Sequence, residues 1–138
     1  MPKKILLIED EENLTDLYKM RFEQEGFQII IARDGAQGVE TAIKEQPDLI
    51  LVDLVMPKMD GYQVLKELRS NDKTKTIKIY VFSNLGQKEE VDKGFHNGAN
   101  GYLIKSSLTP TELVETVKKI FKGEHVGLTE PNSNSNNK

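Results

Sequence analysis

Residues 49–61 read LILVDLVMPKMDG: four aliphatic side chains run into a single acid, Asp53, before a proline and a glycine break the pattern. Such a run fits a strand covered on both faces, where an ionised carboxylate is costly unless something pairs with it. The start of the chain repeats the design, with ILLI running into Glu9 and Asp10; a fourth run ends at Ser83 and a fifth runs into Lys105. In open parallel sheets, ligands sit beyond the carboxyl ends of the strands. If the first and third strands are neighbours, three carboxylates crowd one pocket, with a hydroxyl and an ammonium on its rim. Two like charges ~4 Å apart repel by about 4 kcal/mol at an effective dielectric of about 20, so the trio calls for a cation. Hard oxygen donors with no His or Cys nearby favour Mg2+ over zinc and leave room for one further anionic group.

The elements that must position these groups are legible as two alternating patterns. Apolar runs at Ile5–Ile8, Phe27–Ala32, Leu49–Val52, Ile79–Phe82 and Tyr102–Ile104 predict five strands. Between and after them lie stripes at helical spacing: Leu14, Leu17, Tyr18 and Phe22; Ala36, Val39, Ala42 and Ile43; Val64, Leu65 and Leu68; and Leu113, Val114, Val117, Ile120 and Phe121. Thr109, Pro110 and Glu112 form a capping box with proline at the first helical position, and Asp60 with Gln63 repeats the logic. Residues 87–98 carry only Val91 and Phe95 as a stripe and include two glycines, so they predict a loosely held helix. Strand alternating with helix five times implies parallel strands joined by right-handed crossovers, hence a three-layer α/β sandwich.

Size and charge agree with one domain. The chain has 138 residues, no cysteine and a net charge of −3, which excludes disulfides, thiolate metal sites and a global basic field for nucleic acid. Nothing approaches the ~18 apolar residues of a membrane span, and a cytoplasmic protein is expected. Residues 1–123 are read as the folded domain, and 124–138, ending in NSNSNNK, as a flexible polar tail with little to bury.

In order, the acidic pair in IEDE, the run DLVMPKMDG, the hydroxyl in VFSN, and the aromatic and lysine in GYLIKS resemble the response-regulator receiver domains of bacterial two-component signalling. The resemblance covers residues 3 to about 122. It implies a doubly wound, flavodoxin-like fold with strand order 2-1-3-4-5. It implies a phosphoacceptor signalling domain rather than an enzyme. Asp53 is then the nucleophile that takes a phosphoryl group from a histidine kinase or histidine phosphotransfer protein. Asp10 and Asp53 bind Mg2+, or alternatively Mn2+, directly; Glu9 acts through water, and the Val55 main-chain carbonyl completes the protein ligands. Lys105 neutralises the phosphoryl group, Ser83 is the switch hydroxyl, and Tyr102 is the switch aromatic, which swings inward. The donor docks near the first helix and the pocket rim. A downstream protein meets the fourth helix, fifth strand and fifth helix, around Phe95, Tyr102, Lys118 and Lys119. The chain is either a stand-alone receiver or the front of a longer regulator.

Three departures from the family pattern carry their own expectations. Ser106 follows Lys105 where the family has a proline after a cis bond, and the loop is expected to keep that bond cis. Asn84 replaces a small residue and is expected to narrow access to the phosphoryl group. Val55 and Leu85 are apolar where the family tunes hydrolysis, so neither orients an attacking water and the acyl phosphate is expected to be long-lived. The alternative is a Mg2+-dependent phosphatase of haloacid-dehalogenase type, which needs a second acid where Val55 stands. A flavin-binding module would need a phosphate-cradling loop, yet residues 9–12 read EDEE.

Overall fold

The computed structural model describes residues 2–130. Its strands are β1 (Lys4–Ile8), β2 (Gln28–Ala32), β3 (Leu49–Val52), β4 (Lys78–Ser83) and β5 (Gly101–Ile104). The helices are α1 (Glu12–Gln24), α2 (Gly35–Glu45), α3 (Gly61–Ser70), α4 (Lys88–His96) and α5 (Pro110–Phe121). All strand pairs are parallel, in the order β2-β1-β3-β4-β5. Successive strand residues face opposite sides. Leu6, Ile8, Ile50, Val52, Ile79 and Val81 pack with Val64, Leu65, Leu68 and Val91 of α3 and α4 on one face. Ile5, Leu7, Leu49, Leu51 and Phe82 pack with Tyr18 and Phe22 of α1 and Leu113, Val114 and Val117 of α5 on the other.

Local signals account for most helix starts. Thr109 and Glu112 form the reciprocal capping box of α5, Asp60 accepts from the Gln63 amide at 3.0 Å, and Asp34 caps α2 by accepting from the Gln37 amide. One stripe is shifted. Leu17 lies on the outside of α1, 49% exposed beside Met20, because Thr15 rather than Leu17 joins Tyr18 and Phe22 on the buried face. Helix α4 is held by more than its stripe. Buried Gly94 lies against the Tyr102 ring, and Tyr62 of α3 donates to the Glu90 carbonyl at 3.2 Å.

The stretch after Gly123 differs from the sequence reading. Val126 packs against the core on the α1/α5 side, and the Leu128 amide donates to the Tyr102 carbonyl at 2.9 Å in an isolated antiparallel bridge. The reason is that β5 is an edge strand with an unpaired outer side, which this segment covers in part. The Asn/Ser-rich residues 131–138 lie outside the described residues.

The entry points of β4 and β5 are tied by one guanidinium. Arg69, at the end of α3, donates to the carbonyls of Gly98 (2.8 Å), Lys75 (2.9 Å) and Ile77 (2.7 Å) and to Asn100 Oδ1 (2.8 Å), while Asn100 Oδ1 also accepts from the Ile79 amide. These two strands deliver Ser83, Tyr102 and Lys105 to the opposite edge of the sheet. Arg69→Ala is expected to destabilise the fold by about 2–4 kcal/mol in urea denaturation, because charge-assisted bonds to backbone carbonyls are lost together. Arg69→Lys recovers little of that, since an ammonium lacks the planar fork.

Candidate phosphoacceptor site

The sheet ladder continues one residue past β1 and β3 and thereby fixes the acids. The Glu9 amide donates to the Ala32 carbonyl at 2.9 Å, and the Asp53 amide donates to the Ile8 carbonyl at 3.1 Å. Asp53 therefore sits beside the β1 terminus. Beyond it, the loop to α3 is pinned by Gly61, whose amide reaches the Leu54 carbonyl at 3.0 Å. A Cβ at that glycine would lie 2.4 Å from the Asp53 carbonyl oxygen, so only glycine lets α3 start so close to the acid.

Glu9, Asp10 and Asp53 each offer an oxygen, all within 4.8 Å of one another. Glu9 and Asp53 are buried and Asp10 is exposed. The Lys105 ammonium crosses to them, bonding to Glu9 Oε1 and, at 3.1 Å, to Asp53 Oδ2. The second oxygens are engaged as well: Glu9 Oε2 accepts from the Glu11 amide at 3.1 Å, and Asp53 Oδ1 from the Val55 amide at 3.3 Å. Burial pushes the Glu9 carboxyl above its ordinary range, more than the Lys105 ammonium pulls it down. For Lys105, burial disfavours the charge, but the bond to Glu9 and the fields of Asp53 and Glu9 outweigh it and hold the ammonium above its usual value.

Three carboxylates against one ammonium leave two negative charges uncompensated within this group. Oxygen donors at this spacing, with one of them facing solvent, suit a hard divalent cation. Asp10, Glu11, Asp53, Val55, Ser83, Asn84, Leu85 and Lys105 line a cavity of about 330 Å3 over the acids.

Around this cavity the structure brings the other expected residues together. Ser83 is fully buried, and its Oγ accepts from the Leu85 amide at 3.2 Å. Tyr102 is packed inward with no exposed surface, and its hydroxyl donates to the Leu85 carbonyl, while burial raises its phenol pKa. Val55 lies at the mouth and is 60% exposed.

The expected cis bond is corrected, because the described residues contain no cis peptide. Residues Lys105–Ser107 instead form a single 3-10 turn, and the Ser106 amide donates to Asn84 Oδ1 at 2.7 Å. A cis bond before a non-proline costs about 3–4 kcal/mol, and the trans turn makes this contact. Sequence reasoning missed the Asn84 contact. Its signal was the pairing of two departures, a larger polar residue after Ser83 and a proline lost after Lys105.

The sequence profile described as Response regulator receiver domain matches residues 5–118. The chain is similar to the DNA-binding dual master transcriptional regulator RpaA of Synechocystis, at 39% identity over 105 residues, covering 76% of this chain and 43% of that one. Among solved structures it resembles the chemotaxis protein CheY4 of Vibrio cholerae (TM-score 0.80, 25% identity, 87% of this chain and 99% of that one). It also resembles the Mn2+-bound form of response regulator Rcp1 (TM-score 0.73, 28% identity, 93% of this chain and 100% of that one). The chain spans about half the length of the curated relatives it matches. The phosphatase alternative finds no support in these matches, and no described helix is long and apolar enough to cross a membrane. Strand order, acidic cluster and profile agree: this chain belongs to the response regulator receiver domain family.

Proposed function

We propose that this chain accepts a phosphoryl group on Asp53 from a phosphohistidine of a histidine kinase or phosphotransfer protein, and that the event is read on the α4–β5–α5 face. The observation that carries the reading is the placement of Asp53, held on both oxygens, under an open cavity beside Glu9, Asp10 and the Lys105 ammonium. The rigid seat matters because in-line attack needs an oxygen already positioned. An Asp53 carboxylate oxygen forms the O–P bond as the P–N bond of the donor phosphohistidine breaks, the electron pair returning to the imidazole nitrogen, and Lys105 carries its N–H donors from the carboxylates to the incoming phosphoryl oxygens.

Asp10 and Asp53, with the Val55 main-chain carbonyl, would hold Mg2+ or Mn2+; Glu9, whose two oxygens already accept from Lys105 and Glu11, would act through water. When bound, the cation supplies charge neutralisation and a template for the phosphoryl oxygens.

Ser83 and Tyr102 transmit the event. Since Ser83 Oγ accepts from the Leu85 amide, its own proton is available to a phosphoryl oxygen. Drawing Ser83 toward the site shifts Leu85, whose carbonyl holds the Tyr102 hydroxyl, and Tyr102 underlies Gly94 of α4. Phosphorylation therefore acts on α4 through one residue of the loop.

Incubation with acetyl phosphate and Mg2+ is expected to add one phosphoryl group by intact mass. Asp53→Asn abolishes the addition and EDTA prevents it; undiminished labelling of that variant overturns the assignment. At free Mg2+ about tenfold above its Kd, mass action adds about 1.4 kcal/mol of stability in a thermal melt, and Asp10→Asn removes most of the gain. After removal of the donor, the acyl phosphate is expected to persist for minutes or longer, because neither Val55 nor Leu85 can orient water. Decay within seconds contradicts this.

A further inference from the structure

Two of the departures from the family pattern meet in space. Ser106 stands where the family has proline, which has no N–H to donate. In the Lys105–Ser107 turn the Ser106 N–H belongs to the first turn, where no acceptor exists within the turn itself. Asn84, in place of a small residue, supplies that acceptor at 2.7 Å.

We propose that Asn84 is a positioning residue, whose carboxamide ties the loop leaving β4 to the turn carrying Lys105 and so holds the Lys105 ammonium over the Glu9–Asp53 pair. This deepens the phosphoacceptor reading and rests on it.

The sheet order explains why such a tie is needed. Lys105 follows β5 while Glu9 follows β1, with β4 and β3 between them. At about 4.8 Å per strand spacing, the two ends are about 14 Å apart. One lysine side chain bridges that span to reach both carboxylates, so the position of its ammonium is set by where the turn holds the Lys105 backbone. Asn84 follows β4, the intervening strand next to β5, and anchors the turn one strand in from the sheet's edge.

The bond also forms a wall. Asn84 and Lys105 line both the acidic cavity and a neighbouring apolar one bounded by Leu14, Leu17, Tyr18 and Leu108. Lys105 has a spectroscopic reporter of its own, because its Nζ lies 5.7 Å from the centroid of the Phe82 ring. The ring field marks the adjacent methylene protons.

The alternative role for Asn84, obstruction of the phosphoryl site, predicts the opposite sign, since trimming it then speeds labelling. The test uses the full chain with N84A, S106P and the double variant. In the parent chain, N84A is expected to slow acetyl phosphate labelling about threefold to tenfold, the range set by loss of one hydrogen bond. In the S106P background there is no donor to lose, and N84A leaves the rate unchanged. Equal slowing in both backgrounds, faster labelling, or no effect in the parent chain overturns the proposal.

Proton–carbon NMR of the Lys105 ε-methylene gives a readout that does not depend on phosphorylation. N84A must move that resonance toward its unstructured position in the parent chain and not in the S106P background. A resonance that stays in place sinks the positioning role. Absence of labelling in the parent chain, together with an N84A-sensitive Lys105 resonance, sinks the phosphoacceptor reading alone.

Discussion

The site is organised around an electrostatic constraint: two carboxylates are forced together by strand register, and one ammonium from the far side of the sheet holds them there. Asp53 and Glu9 are neighbours because the amide following β3 bonds to the carbonyl ending β1. Their proximity is a consequence of the backbone ladder. Lys105 offsets their repulsion in part, while burial, with a smaller push from Asp53, holds the Glu9 carboxyl above its ordinary range. A buried pair of this kind is poor evidence for stability, since desolvating the charges costs as much as their attraction returns. It is better understood as a cluster of charges kept hydrogen-bonded beneath an open cavity.

The same economy of contacts links the pocket to the surface. Leu85 is engaged twice, its amide by Ser83 and its carbonyl by Tyr102, so the loop after β4 connects a group at the cavity with a ring under α4. Helix α4 is short, exposed along its first turn and held partly through glycine packing. Elements with few buried apolar contacts open at low free energy. The fold thus places its shortest α-helix directly over the Tyr102 ring.

Much of this was visible in the residues themselves. The five strands read correctly because apolar runs of three to six residues between turn signals leave few alternatives in a sheet covered on both sides. Glu9, Asp10, Asp53, Ser83 and Lys105 were legible because each follows such a run. Other features were not. Leu17 looked like core because helical spacing cannot tell which neighbour, Thr15 or Leu17, completes a stripe. The trans bond at Ser106 is what a non-proline favours locally, and the cis expectation followed the family pattern instead; the bond to Asn84 joins residues 22 positions apart, which local propensity does not register. The fourfold engagement of Arg69 was equally hidden, since an arginine near a helix end is ordinarily a solvated charge. Leu128 was missed because a polar neighbourhood masks two apolar residues that find an edge to cover.

That last contact bears on how neighbouring molecules can discriminate this side of the molecule. Main-chain pairing along an open strand is nearly blind to sequence, because every residue offers the same donor and acceptor. With the Tyr102 carbonyl already claimed by the chain's own Leu128, that sequence-blind route is closed at this point. Selectivity there falls to the side chains of the flanking helices, whose identities can diverge between otherwise similar domains without disturbing the sheet beneath.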